Sequence, residues 1–300
     1  MKAIVYKKIL SALLCCLALG SISQPLTTSL TACYDLDGNA SEPINSLTGT
    51  ISVATATVDR FNNVSAALHF NGSTNCFVQL PEDPLLKPSP AISFALWVKP
   101  ESLAGGMHIV FTKNNQSSNF EAYQFEIFGG TYWRLNKANS TLNDIVLSTS
   151  TVVINQWYHI ACTIDNTSLK LYVNGVLEGT TNSTFNGFDY MTGKKVYLGG
   201  TNESFNHPFI GTLDNLKFWN RIISPTEVTQ LYLSDPPCLQ AASISPELTL
   251  QPELSYFPNP VENVLRLRSQ ISQSVSLLDA QGHLLQRYDL KPGEPVRADL

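Results

Sequence analysis

Chemistry on an extended chain depends on alternation, because successive side chains of a strand point to opposite faces. A glycan-cleaving site needs two carboxyl groups facing one cleft, one as nucleophile or base and one as acid. No Glu-x-Asp-x-x-Glu run occurs in the 300 residues. Glu121 and Glu126 come nearest, but their odd separation sets them on opposite faces, where solvated strand carboxylates are expected. His69, His108, His159, His207 and His283 are scattered, with no His-x-x-x-His spacing and no Ser/His/Asp set that can be named. A hydrolase is therefore the least supported reading. Recognition is better supplied: stacking on a sugar ring needs aromatic faces, with Asn, Asp or Gln to hold hydroxyls. Tyr132 and Trp133 follow Gly129-Gly130, and Phe185, Phe188, Tyr190 and Phe205 lie in Asn- and Gly-rich stretches. Tyr132, Trp133 and Tyr190 are the ligand-stacking candidates, against the competing reading that each plugs a core.

The elements that would position these residues are strands. Tyr158, Ile160, Cys162 and Ile164 share one face of an alternating run, and Trp157, His159, Ala161 and Thr163 the other. Leu169, Leu171 and Val173 repeat the pattern. Asn174-Gly175 then supplies the two positive-φ residues of a type I′ hairpin turn. Ile92, Phe94, Leu96 and Val98 alternate up to Pro100, which ends the run because proline donates nothing to a ladder. Further strands are expected at 108–113, 123–128, 131–135, 144–148, 196–198 and 209–220. Ser224-Pro-Thr-Glu227 is a helix start with a capping box and proline at the first position, and Val228, Leu231 and Tyr232 form its apolar face. The fold class is all-β.

Composition sets the remaining bounds. The chain is 43% hydrophobic and only 14% charged, with a net charge of −5. Lys2, Lys7 and Lys8 precede an apolar run from Ile9 to Leu19 and small residues at 20–23, the pattern of a cleaved signal peptide over residues 1–23. Its removal takes the net charge from −5 to about −8, and no basic patch exists, so nucleic acid is not a partner. No transmembrane segment is expected. Export leaves Cys33, Cys76, Cys162 and Cys238, an even number with three pairings open. Cys76 and Cys162 sit in strand-like alternation, equally readable as a bridge or as two buried thiols.

Several of these blocks carry a resemblance. Trp157-x-His159, then Leu171-Tyr-Val-Asn-Gly175, resembles the central hairpins of laminin-G-like jelly rolls of the concanavalin A-like lectin/glucanase group. Ala66-Ala-Leu-His-Phe-Asn-Gly72, the strand bearing Trp97-Val98, the opening strand before Asp37-Gly38, and Trp219-Asn-Arg221 before the capped helix extend the likeness from Cys33 to Cys238. It implies an antiparallel jelly-roll sandwich over residues 24–238. It also implies neighbouring first and last strands, so that Cys33 and Cys238 meet. Closing so long a loop would stabilise by about 5 kcal/mol in the chain-entropy description. It further implies a Ca²⁺ held near the first loop and the penultimate strand, at Asp37, Asn39 and Asp214, with Asn71 as a further donor. The competing reading there is turn and cap chemistry.

Residues 239–255, rich in Ser, Pro, Gln and Glu, read as a linker. Pro258-Asn-Pro260 with Val264, Leu265 and Leu267, then a hairpin over 275–285 turning at Gly282, resembles the C-terminal sorting domain of the bacterial type IX secretion system. That implies a small β-sandwich over residues 256–300, delivery by the type IX secretion machinery, and a cell-surface or secreted location. The family continues past the equivalent of Leu300 into further strands, so a truncated domain is expected.

The combined expectation is a secreted or outer-surface binding module, not an enzyme, that recognises a glycan or an extracellular protein with calcium assisting. The alternatives are a non-lectin adhesive or structural surface protein and, third, a glycan-active enzyme lacking the usual carboxylate motif. Fold alone does not choose among them.

Overall fold

The computed structural model describes residues 25–113, 122–190, 192–201 and 207–238, and beyond these 254–257, 264–269, 273–278, 284–291, 294 and 296–299. The signal segment and most of the expected linker lie outside the described residues.

Fifteen strands precede the helix in chain order: β1 (Leu30–Tyr34), β2 (Thr50–Ser52), β3 (Thr55–Thr57), β4 (Ala67–Asn71), β5 (Phe77–Gln79), β6 (Ile92–Pro100), β7 (Met107–Lys113), β8 (Ala122–Phe128), β9 (Tyr132–Ala138), β10 (Asn143–Thr151), β11 (Tyr158–Ile164), β12 (Ser168–Val173), β13 (Val176–Asn182), β14 (Tyr197–Leu198) and β15 (Ile210–Trp219). They form two antiparallel sheets. One runs β13-β12-β11-β6-β15-β4-β3, with β1 also on β15; the other runs β10-β9-β8-β7-β14-β5-β2. The hydrophobic alternation of the sequence becomes the layer between them. Phe94 and Phe111 meet edge to face at 4.4 Å across it, and Trp133 stacks on Phe125 at 5.5 Å. This is the jelly-roll sandwich that the resemblance implies.

β15 is the hinge of the first sheet. β6 pairs with it from Gly211 to Trp219 on one side. On the other side β4 takes Ile210 to Leu213 and β1 takes Leu216 to Trp219. The register shifts between Asp214 and Lys217, where Asn215 adopts φ +51°, so Asp214 is set at the junction of the two partners.

The two sheets also meet along one edge. The Glu178 carboxylate of β13 accepts from Thr149 N at 3.1 Å and from Ser150 N at 2.8 Å on β10. Gly179 allows the approach, since a Cβ there would lie 2.5 Å from Leu147 O. The turn between β12 and β13 has φ +49° at Asn174 and +81° at Gly175, as a type I′ turn requires.

The helix α1 (Pro225–Ser234) starts as the sequence indicates. Ser224 Oγ accepts from Glu227 N, and Glu227 Oε2 accepts from Ser224 N at 2.7 Å. Its buried Val228 and Leu231 pack on Ala95, Ala161, Tyr172 and Trp219, which covers the outer face of the first sheet with a second small core. Among the described residues, no helix is long and apolar enough to cross a membrane.

Beyond the helix lie β16 (Leu254–Phe257), β17 (Val264–Ser269), β18 (Gln273–Leu278), β19 (Leu284–Leu290) and β20 (Val296–Asp299). β16-β17-β20 and the hairpin β18-β19 are antiparallel.

Cys33 and Cys238 are joined by a disulfide, 205 residues apart in sequence. Cys76 and Cys162 are free and fully buried, so the alternative of a second bridge is corrected to two core thiols. Cys162 lies on β11 of the first sheet and Cys76 enters β5 of the second. Burial pushes both thiols upward from their ordinary range. Replacing Cys33 and Cys238 together by alanine is expected to lower unfolding free energy by about 2–5 kcal/mol in a urea melt. An unchanged midpoint would show that the bridge constrains nothing that the sheets do not already hold.

Candidate functional site

Two regions gather the chemistry-bearing side chains: the loop end where β15 changes partner, and the outer face of β8, β9 and β10.

At the loop end the β15 register shift buries Asp214, whose Oδ2 lies 2.6 Å from Arg60 Nη1. The Arg60 guanidinium sits 4.5 Å from the ring centroids of both Phe61 and Trp97. Asp235, directly after α1, accepts from Trp97 Nε1 at 3.0 Å and from Lys217 Nζ at 2.5 Å. Asp59 caps its own loop, accepting from Phe61 N, Asn63 N and Asn63 Nδ2, each at 2.8 Å. Asp35 accepts from Cys238 N at 2.7 Å. These groups and the exposed Asp37 line a cavity of about 150 Å³. Burial, then the neighbouring Asp35 and Asp59, hold the Asp37 carboxyl above its usual range. Burial raises Asp214 to about 7, against the pull of Arg60 and with Asp235, Asp59 and Asp37 adding to the rise.

Of the three expected calcium ligands, Asp37 and Asp214 share this cavity and Asn39 does not. Asn39 lies on a separate open cavity of about 340 Å³ that it shares with Asp37 but not Asp214. Its amide is turned into its own loop, donating to Asp37 O at 2.7 Å and accepting from Ser41 N at 2.8 Å. Asn71 is likewise taken up by its turn, accepting from Ser73 N and Oγ. Calcium asks for six or more oxygens around one point. Among the described residues, the only three His, Cys, Asp or Glu ligand atoms within 4.8 Å of one another belong to Cys33, Asp35 and Cys238, and the two sulfurs are bonded together. As placed, the donor set does not fit the ion.

The second region follows from hairpin register. Around Gly129-Gly130, Phe128 pairs with Tyr132, Glu126 with Arg134 and Gln124 with Asn136. β10 continues these rows with Leu147 beside Arg134 and Ile145 beside Asn136. Their alternates Tyr123, Phe125, Ile127, Trp133 and Leu135 fill the core, so this set faces outward. Glu126 is wholly buried there. Its Oε1 accepts from Arg134 and, at 2.9 Å, from Asn136 Nδ2; its Oε2 accepts from Gln124 Nε2 at 2.7 Å. Thr112 Oγ1 extends the network by donating to Gln124 Oε1 at 3.0 Å. The Arg134 guanidinium lies 3.7 Å over the Phe128 ring. Asn136 Oδ1 is buried without a hydrogen-bond partner. Phe128 and Tyr132 are exposed beside the network, at 38% and 37%.

Three expectations change accordingly. Glu126 is not a solvated strand residue but the centre of a buried network, while Glu121 lies outside the described residues. Trp133 is not a ligand platform, because its parity puts it in the core, edge-on to Tyr158 at 5.4 Å. Tyr190 is a packing residue: its hydroxyl donates to Pro88 O at 2.8 Å and its ring stacks on Phe188 at 5.3 Å. Tyr132 alone of the three stands on the surface beside the polar network. Sequence reasoning missed Gln124, Phe128, Arg134 and Asn136: a two-residue Gly129-Gly130 turn would pair Glu126 with Trp133, whereas the turn spans 129–131 and pairs it with Arg134.

His159, on β11, is buried under α1, its ring 5.2 Å from Trp97 and 6.2 Å from Tyr232. Burial, then Lys217 and Arg60, lower it to about 3.

The fold is that of a jelly-roll domain. Residues 71–229 match the laminin-G model of the concanavalin A-like lectin/glucanases superfamily, and the chain belongs to that family. Among solved structures it is similar to domain 4 of AbnA, a GH43 extracellular arabinanase from Geobacillus stearothermophilus in complex with arabinotriose. That match has 23% identity and a TM-score of 0.52, covering 68% of this chain and 98% of that one. The binding domain of Paraclostridial Mosquitocidal Protein 1 aligns at 14% identity and TM-score 0.55, covering 69% of this chain and 52% of that one. The botulinum neurotoxin serotype G binding domain aligns at 14% identity and TM-score 0.52, covering 68% and 50%. This chain thus spans about half of each toxin structure. At these identities the likeness is one of fold. No curated protein matches the chain.

The burial of neutral His159 has a pH consequence. Its folded pKa lies below its unfolded value near 6.5, so the unfolded chain binds the extra proton and stability is lost as pH falls from about 6.5 towards 3. Relative to His159→Asn, the wild type is expected to lose about 1.4 kcal/mol per pH unit between pH 6 and 4 in denaturant melts. A pH-independent difference would contradict a buried neutral imidazole.

Proposed function

We propose that this protein is a secreted or cell-surface glycan-binding module whose site is the outer face of β8, β9 and β10. One observation carries the reading: exposed Tyr132 and Phe128 rings lie beside the ordered Gln124–Glu126–Arg134–Asn136 network. Apolar faces with a few fixed polar groups are what ligand sites present. The exposed rings would cover a pyranose face, while the buried network beside them keeps Arg134 and Asn136 fixed. The arabinotriose held by the arabinanase domain and the binding roles of the toxin domains support this class of partner.

The reading is of a binder rather than an enzyme. Both oxygens of Glu126 already accept hydrogen bonds, and glycoside cleavage needs a second carboxyl group about 5–9.5 Å away. The rows paired with Glu126 supply Ile109, Arg134 and Leu147, none of them acidic. A non-lectin adhesive role is favoured by one feature, the exposed Ile145 and Leu147 continuing the same face. Export is supported by the charged and apolar segment over 1–23 and by the Cys33–Cys238 bridge, since disulfides persist in oxidising compartments. The type IX machinery, reading residues 256–300, is the proposed delivery route.

Binding to a panel of immobilised polysaccharides and arabino-oligosaccharides, followed by calorimetry on any hit, tests the reading. Tyr132→Ala and Phe128→Ala are each expected to weaken binding about tenfold, or about 1.4 kcal/mol, with the melting temperature little changed. Retained affinity in both variants would remove the site from this face.

A further inference from the structure

The acidic loop end carries a cation of its own. Arg60 bonds Asp214 at 2.6 Å and approaches Asp235 at 3.8 Å, with all three side chains no more than 10% exposed. Its guanidinium lies between two aromatic faces, Phe61 and Trp97, each at 4.5 Å. A planar, weakly hydrated cation is the kind that tolerates such a slot. Three of the surrounding carboxylates are satisfied separately: Asp235 by Lys217 and Trp97, Asp59 by the amides of its own loop, and Asp35 by the amide of Cys238. One side chain thereby joins the loop at 59–63, the β15 shift, β6 through Trp97, and the segment after α1.

We propose that Arg60 takes the place that a divalent ion would occupy at this loop end, so that the domain is held together there without calcium. The resemblance of the Asp37 loop and Asp214 to a calcium site is then explained without an ion. The oxygens of Asp214, Asp235, Asp59 and Asp35 are apportioned among an arginine, a lysine, an indole and backbone amides. A metal entering the cavity would have to displace a guanidinium buried between two rings.

The experiment uses the full chain, freed of metal by chelator, in thermal melts with and without millimolar CaCl₂, alongside calorimetric titration with CaCl₂. The wild type is expected to melt at the same temperature in both conditions and to give no binding heat, since a ligand of the folded state would raise the midpoint. Arg60→Met, which keeps apolar contact with the two rings but removes the charge, is expected to melt at lower temperature. Arg60→Lys, which keeps a cation, is expected to recover part of that loss. A calcium-dependent rise of the wild-type midpoint that disappears in Asp214→Asn would overturn the proposal. So would an Arg60→Met midpoint equal to the wild type. If Arg60→Met does not fold, the wild-type melts and Arg60→Lys still decide.

Discussion

The sandwich depends on the hydrogen bonding of one strand. β15 must satisfy its backbone against β6 along nearly its whole length, and against β4 and then β1 on the other side. Two partners of different register cannot share one uninterrupted edge, so the strand shifts between Asp214 and Lys217. That shift brings the chain start to the centre of the first sheet, and Cys33 on β1 is then within reach of Cys238. It also turns Asp214 towards Arg60 and leaves Lys217 for Asp235. Fold closure and the charge arrangement at the loop end are one event.

The two outer faces of the sandwich are treated differently. The first sheet is covered by α1, whose Val228 and Leu231 bury Ala95, Ala161 and Trp219. His159 is trapped under that cover. Among the described residues, no helix lies on the outer rows of β8 to β10. There Glu126 accepts from Gln124, Arg134 and Asn136 Nδ2, and aromatic rings remain exposed at the margin. A buried carboxylate surrounded by donors is costly to disturb, because removing a partner leaves a desolvated charge. The network therefore fixes the rotamers of Gln124, Arg134 and Asn136 in advance of any ligand, which suits recognition with little ordering cost.

Much of this was legible in the sequence. Period-two alternation located β6, β11 and β12, Asn174-Gly175 located the hairpin from β12 to β13, and Ser224-Pro-Thr-Glu227 located the helix start. These signals are local, set by backbone sterics and capping. Which alternate faced the core was not legible on β9, because Tyr132 and Trp133 are both aromatic and only the opposing sheet decides. The pairing of Glu126 with Arg134 was not legible either, because it depends on Thr131 joining Gly129-Gly130 in a three-residue turn. Arg60 gave no signal at all. It meets Asp214 across 154 residues, and nothing in Asp59-Arg-Phe61 announces a structural cation.

The central claim is that the outer face of β8 to β10 is where a glycan rests. Crystals of the protein soaked with the oligosaccharide that binds best would test it most directly. Density for a sugar ring is expected against Tyr132 and Phe128. Density confined to the Asp37 and Asp214 loop end, with the β8–β10 face bare, would contradict it.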